Sequence, residues 1–142
     1  MSLVRDIVYD RELFHVEEGS SVADVARRMA ELHVGAIVVM NNGRLSGIFS
    51  ERDIMKRVVL DRRNPESTPV EHVMSTAVVT IDELASLEDA MEMMQAHKCR
   101  HLPVTRNSRV VAFLSMRDLM NYELARKTEE LHHMHAYVHG SA

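Results

Sequence analysis

Apolar positions in the first sixty residues change period several times, and each change marks an element. Phe14-His15-Val16 is a short run bounded by polar residues, as a brief strand would be. Val22, Val25, Ala26 and Met29 then recur at i, i+3, i+4 and i+7, with Leu32 extending the row, which places them on one face of a half-buried helix. Ser21 precedes that face and Asp24 follows it by three residues, the pattern of an N-cap and capping box. Ala36-Ile37-Val38-Val39-Met40 is a continuous apolar strand, and residues 44–49 make a second. Asn41-Asn42-Gly43 between them is a hairpin signal, because Asn and Gly tolerate positive φ. Ser50 opens another helix, so the predicted order is β-α-β-β-α.

The same series returns 65 residues later. Ser21, Asp24, Met29, Val39 and Arg44 fall on Ser86, Asp89, Met94, Val104 and Arg109. Ser50, Arg52, Asp53 and Met55 fall on Ser115, Arg117, Asp118 and Met120, with no gap needed from residue 13 to about 60. The second copy predicts strands at Val79-Thr80-Ile81, Leu102-Pro103-Val104 and 110–114, with Arg106-Asn107-Ser108 as its turn. An internal duplication governs the choice of fold. The chain divides into repeat one at 3–62, a linker at 63–68, repeat two at 69–125 and a helical extension at 126–142. The linker region is polar, with Pro65 and Pro69 nearby, and leads into a short helical turn, Val70-Glu71-His72-Val73-Met74. Val4-Arg5-Asp6-Ile7-Val8 is its counterpart, one residue out of register. Repeats of this size bury too little apolar area alone. The expected fold class is α+β: two β-α-β-β-α repeats packed about a pseudo-twofold axis, plus a long C-terminal helix.

Composition narrows the function classes. The 142 residues are 46% hydrophobic and 27% charged, an ordinary globular balance. A net charge of −4 gives no general attraction to nucleic acid or an anionic membrane. No apolar run reaches membrane-spanning length, and the first residues lack a signal peptide's apolar stretch. One cysteine, Cys99, permits no internal disulfide and suits a reducing compartment, so the expected location is cytoplasmic. Cys99 aligns with Val34 and reads as a small buried hydrophobe, and the eleven methionines read mainly as helix core positions.

The candidate chemistry lies in the repeated Ser-x-Arg-Asp. Either copy alone is explained by helix capping. Two copies in phase, each after an apolar strand, favour a repeated binding site. A carboxylate can accept both vicinal hydroxyls of a ribose, and a helix N-terminus with a Ser hydroxyl and an Arg attracts phosphate. Copy two has Ala112 where copy one has Gly47; glycine admits close approach of a ligand to backbone, so the Asp53 pocket is the better match. Arg100 and His101 read equally as surface charge at a helix exit or as a phosphate contact. In the tail, Leu124, Leu131 and Val138 stand at heptad spacing on a helix expected from 119 to 138, suited to packing on a partner subunit. His132, His135 and His139 share one face with His133 nearby, but without a carboxylate or Cys they read as solvated rather than as a metal site.

These motifs resemble those of the CBS domain pair, the Bateman module. The likeness is carried by residues 34–40, Gly47-Ile48-Phe49-Ser50-Glu51-Arg52-Asp53, Cys99-Arg100-His101-Leu102-Pro103-Val104 and Phe113-Leu114-Ser115-Met116-Arg117-Asp118, and covers roughly residues 3 to 124. The resemblance implies a stand-alone regulatory module of bacterial type, not an enzyme, binding an adenine nucleotide in the cleft between repeats. AMP, ADP, ATP and NAD are the implied ligands, with S-adenosylmethionine a further candidate. It implies that Asp53 and Asp118 take the ribose hydroxyls while Ser50 and Ser115, aided by Arg52 and Arg117, hold phosphate. The adenine walls would come from His15, Val16, Thr80 and Ile81 and from Gly35, Ala36, Arg100 and His101, with either repeat able to supply either wall. It also implies a homodimer, with a further protein partner for signalling. The alternative is a ligand-free structural or partner-binding dimerisation module; an unrecognised enzyme such as a nucleotide hydrolase is a third class.

Overall fold

The computed structural model describes residues 1–140, with side chains through residue 136. Val138 and His139 of the tail lie outside the described side chains, and residues 141–142 outside the description. The fold opens on α1 (Val4–Val8), followed by β1 (His15–Glu17), α2 (Val22–Leu32), β2 (Ala36–Asn41) and β3 (Arg44–Ser50). A single α-turn, α3 (Glu51–Asp53), runs on as π-helix from Ile54–Val59, and a 3-10 turn spans Val70–His72. Then come β4 (Ile81–Asp82), α4 (Leu87–His97), β5 (His101–Arg106), β6 (Arg109–Ser115) and the long α5 (Met116–Gly140). The class is α+β, with a repeated three-stranded sheet, as expected.

Each sheet has a parallel outer strand and an antiparallel hairpin, in the orders β1-β2-β3 and β4-β5-β6. The hairpins match in detail. Ala36 pairs with Ser50 and His101 with Ser115, and register slips at Val39/Met40 and at the equivalent Val104/Thr105. Both turns place two residues at positive φ: Asn42 and Gly43 in one, Asn107 and Ser108 in the other. That geometry matches strand twist, and only the second turn pays for it with a side chain, Ser108, disfavoured there. Ser21 and Ser86 cap α2 and α4 by accepting from Asp24 N–H and Asp89 N–H. The second predicted first strand is shorter than Val79-Thr80-Ile81: only Ile81 and Asp82 join the sheet, and Thr80 is exposed coil.

The helical turns that lead into the repeats cross over. Val4, Ile7 and Val8 of α1 pack with Ile81, Leu87, Met94, Leu102 and Leu114, all from repeat two. Val70, Val73 and Met74 pack with Val22, Val25, Ile37 and Phe49 of repeat one. Backbone bonds fix both docks: Val4 N–H donates to Ala85 O, and Val70 N–H donates to Ser20 O, each at 2.8 Å. Each buried Val or Ile is worth about 1.5–3 kcal/mol, so neither core is complete without a segment delivered by the other half. Periodicity is local and could not reveal this exchange.

Several methionines depart from the expected core role. Met29, Met40, Met74 and Met94 are buried, but Met55, Met120 and Met134 lie on the outside. α5 follows its first turns, packed on α4, β6 and α1, with a stretch whose Leu124 and Leu131 are largely exposed. No helix among the described residues is long and apolar enough to cross a membrane.

Candidate functional site

Both Ser-x-Arg-Asp motifs form true capping boxes where a strand turns into a helix. Ser50 N–H donates to Asp53 Oδ2 at 3.0 Å while Asp53 N–H donates to Ser50 Oγ at 3.3 Å. Ser115 N–H donates to Asp118 Oδ2 at 2.8 Å while Asp118 N–H donates to Ser115 Oγ at 3.0 Å. Capping therefore explains the spacing, but it leaves each carboxylate with acceptor capacity, and the two copies use that capacity differently.

Asp53 is buried, with its side chain 8% exposed. Ser50 Oγ also donates to its Oδ2 at 3.1 Å, Ser75 Oγ donates to Oδ1 at 3.2 Å, and Arg57 Nε stands 3.8 Å away. Asp118 is more open, at 21%, and its Oδ2 pairs with Arg11 Nη1 at 2.8 Å. Burial alone would raise the Asp118 pKa, but the Arg11 hydrogen bond and the bonds from Ser115 together hold it below its ordinary value. Arg11 lies on the stretch that carries the chain from α1, docked in repeat two, to β1 in repeat one. Arg11, Arg57 and Ser75 belong to no repeated motif and carry no periodic signal in the sequence.

His101 begins β5 opposite Ser115 and stacks on Phe113, ring centroids 5.1 Å apart and 21° from parallel. Burial pushes its pKa down; Asp118 opposes this, Arg100 and Arg117 reinforce it, and Glu51 of repeat one opposes it. The charges of Asp118, Arg100 and Arg117, and that of Glu51 from repeat one, all act on His101, and β3 touches β6. Glu51 folds over Gly35, where an added Cβ would meet its carboxylate at 3.5 Å, an ordinary contact.

The other wall candidates lie apart from this cluster. Val16 packs into the core of repeat one and Ile81 into that of repeat two, while Ala36 is buried opposite Ser50. His15 is exposed, its Nε2 3.4 Å from Glu17. Thr80 and Ile81 border a groove that also presents Asp82, Asp89 and Glu92, an acidic lining that repels phosphate. Arg52 is exposed beyond Asp53. Cys99 packs on the second core as expected, and burial pushes its thiol pKa up, away from reactivity.

Gly47 has a different reason from the one expected. An added Cβ would stand 2.6 Å from Ser75 O and 2.8 Å from Met74 Sδ. The close approach that glycine permits here is by the chain's own backbone at Ser75.

Comparison with known proteins agrees with this architecture. The CBS domain family model matches twice, at residues 4–60 and 70–125. The CBS domain-containing protein YhcV of Bacillus subtilis is 32% identical over 128 residues, 90% of each chain. A mitochondrial CBS domain-containing protein of Arabidopsis thaliana is 29% identical over 125 residues, and the match spans 84% of this chain but 61% of that one. Among solved structures, a protein with CBS domains from Burkholderia ambifaria superposes with a TM-score of 0.83 at 29% identity, covering 87% of this chain and 95% of the other. A CBS domain protein from Pyrobaculum aerophilum, solved in complex with AMP, gives a TM-score of 0.75 at 26% identity over 82% of this chain and 89% of that one. Two family matches in tandem, falling on two sheets of identical topology, identify the chain as a member of the CBS domain family, built as a CBS pair.

Proposed function

We propose that this CBS pair is a regulatory module that binds an adenine nucleotide between its repeats. The observation that carries the reading is Asp118, a carboxylate at the start of a helix that Arg11 reaches from the other repeat at 2.8 Å, with Arg117 just before it in the chain. A ribose can take the carboxylate through its hydroxyls, and a phosphate can take the guanidinium groups and the Ser115 end of α5. His101, kept neutral and stacked on Phe113, offers a flat apolar face nearby. AMP bound to the Pyrobaculum aerophilum relative supports this ligand class; ADP, ATP, NAD and S-adenosylmethionine share the adenosine group. Binding would favour one arrangement of the repeats over another, because the crossed lead-in segments tie the cleft to both cores. The action is regulatory, not catalytic.

The testing experiment is a thermal-shift series with AMP, ADP, ATP, NAD and S-adenosylmethionine. A ligand at a hundred times its Kd stabilises a one-site protein by about 2.7 kcal/mol. A rise in Tm with at least one of them is expected; no rise with any at millimolar concentration would refute the reading.

A second reading, dimerisation through helices, is favoured by one observation. Met120, Leu124, Leu131 and Met134 follow one another on α5 at spacings that keep them in a stripe, and all are largely exposed. A second copy of the chain covering that stripe would give a homodimer, compatible with nucleotide binding.

A further inference from the structure

The two Ser-x-Arg-Asp motifs are alike in sequence and unlike in surroundings. Over Asp53, the segment leading into repeat two makes a two-bond bridge to β3, with Ser75 N–H to Ile48 O and Ile48 N–H to Ser75 O both 2.9 Å. Gly47 makes room for that bridge, since a side chain there would meet Ser75 O. Arg57 fastens it from the helix, donating from Nη1 to Met74 O at 2.7 Å. Ser75 Oγ then donates to Asp53 Oδ1, with Oδ2 3.5 Å away. A ribose hydroxyl would make the same bond.

Repeat two lacks every part of this device. Ala112 replaces Gly47, Tyr122 replaces Arg57, and Tyr9 occupies the place of Ser75. Tyr122 instead donates to Ser2 Oγ at 3.3 Å, Tyr9 is exposed, and no bridge like Ile48–Ser75 forms on β6 among the described residues. Asp118 Oδ1 has no hydrogen-bond partner among the described residues, and Oδ2 is shared by Ser115 N–H and Arg11.

We propose that the chain binds one nucleotide, at Asp118, and that Ser75 closes the Asp53 cleft as a built-in hydroxyl in the place of a ligand. The proposal rests on the nucleotide reading above and names the cleft that serves it. A ribose at Asp53 gains only an exchange of one hydroxyl for another, at a buried carboxylate already bonded by Ser50 and Ser75. A ribose at Asp118 finds Oδ1 without a hydrogen-bond partner among the described residues, and Oδ2 held by Ser115 N–H and the exposed Arg11. The motif that matches better by sequence, with Gly47, is the closed one, because the glycine serves the plug.

Isothermal titration of the full-length chain with AMP tests this. The expected result is one AMP per chain, with Asp118→Asn weakening binding by about tenfold or more and Asp53→Asn leaving the Kd within about threefold. Two AMP per chain, or a larger loss from Asp53→Asn than from Asp118→Asn, would overturn it. A ligand-free arm separates the closure from the nucleotide reading. In urea melts, Ser75→Ala and Asp53→Ala should be non-additive, since each removes the Ser75–Asp53 hydrogen bond. Additive midpoint shifts would refute the closure even if AMP binds once; absence of any AMP binding with non-additive shifts would refute the nucleotide reading and leave the closure standing.

Discussion

Gly47→Ala puts the packing beneath this argument to a direct test. A Cβ on residue 47 would lie 2.6 Å from Ser75 O, 2.8 Å from Met74 Sδ and 3.0 Å from Met74 Cγ. The Met74 side chain is flexible and can swing, but it is buried and must repack at a cost of about 1–3 kcal/mol. The Ser75 carbonyl cannot swing, because it accepts Ile48 N–H within a bridge of two 2.9 Å bonds. Pushing it away forfeits those bonds, at about 0.5–1.5 kcal/mol each. The sum is about 2–6 kcal/mol, offset by no more than about 1 kcal/mol gained from the stiffer unfolded chain. At the matching position of repeat two, Ala112→Gly removes one buried methyl and adds backbone freedom, for a loss of about 1–2 kcal/mol. Urea melts of both variants, with hydrogen exchange at the Ile48 and Ser75 amides, measure the contrast. A Gly47→Ala loss below about 1 kcal/mol with those amides still protected would show that the segment does not pack on β3 as described.

Two further outcomes follow from the geometry. The His101 pKa is lowered from its ordinary 6.5, so the unfolded chain binds more protons between the two values; stability should be flat above that pH and fall as pH drops through it. The Asp118 pKa is lowered from 3.8, so its contribution should be lost in a second, lower window as pH falls through the depressed value. Melting curves across pH for the parent and His101→Gln should show the upper window vanish in the variant, and its persistence would exclude His101 as the cause. For the exposed stripe on α5, light scattering should give about twice the 16.2 kDa chain mass, and Leu124→Glu with Leu131→Glu should give the monomer. A parent monomer at micromolar concentration would remove the dimer reading.

Much of the fold was legible because it is written twice. Ser21 and Ser86 announce their helices by local chemistry, and Asn42-Gly43 and Asn107-Ser108 fix hairpin turns through positive φ that few residues accept. The exchange of lead-in helices was hidden, because nothing in the pattern of Val4, Ile7 and Val8 says which core they enter. The π-helical run Ile54–Val59 was also hidden, since its apolar spacing suits an α-helix equally well. At the site, Ser50–Asp53 and Ser115–Asp118 could be read as a repeated motif, but their difference could not. It depends on Ser75 and Arg11, which lie on aperiodic stretches and reach their carboxylates only through the crossing of the chain. Gly47 was visible as a signal of close approach; what approaches is set by tertiary structure.

The central claim, a nucleotide held at the Asp118 cleft, is tested most directly by a crystal structure of the chain grown with saturating AMP. The account predicts one AMP per chain, with its ribose hydroxyls about 2.5–3.0 Å from the Asp118 carboxylate and its phosphate at the Ser115 end of α5 beside Arg11 or Arg117. Ser75 should remain bonded to Asp53 in the same crystal. AMP on Asp53 with Ser75 displaced, or both clefts without nucleotide at saturating concentration, would contradict it.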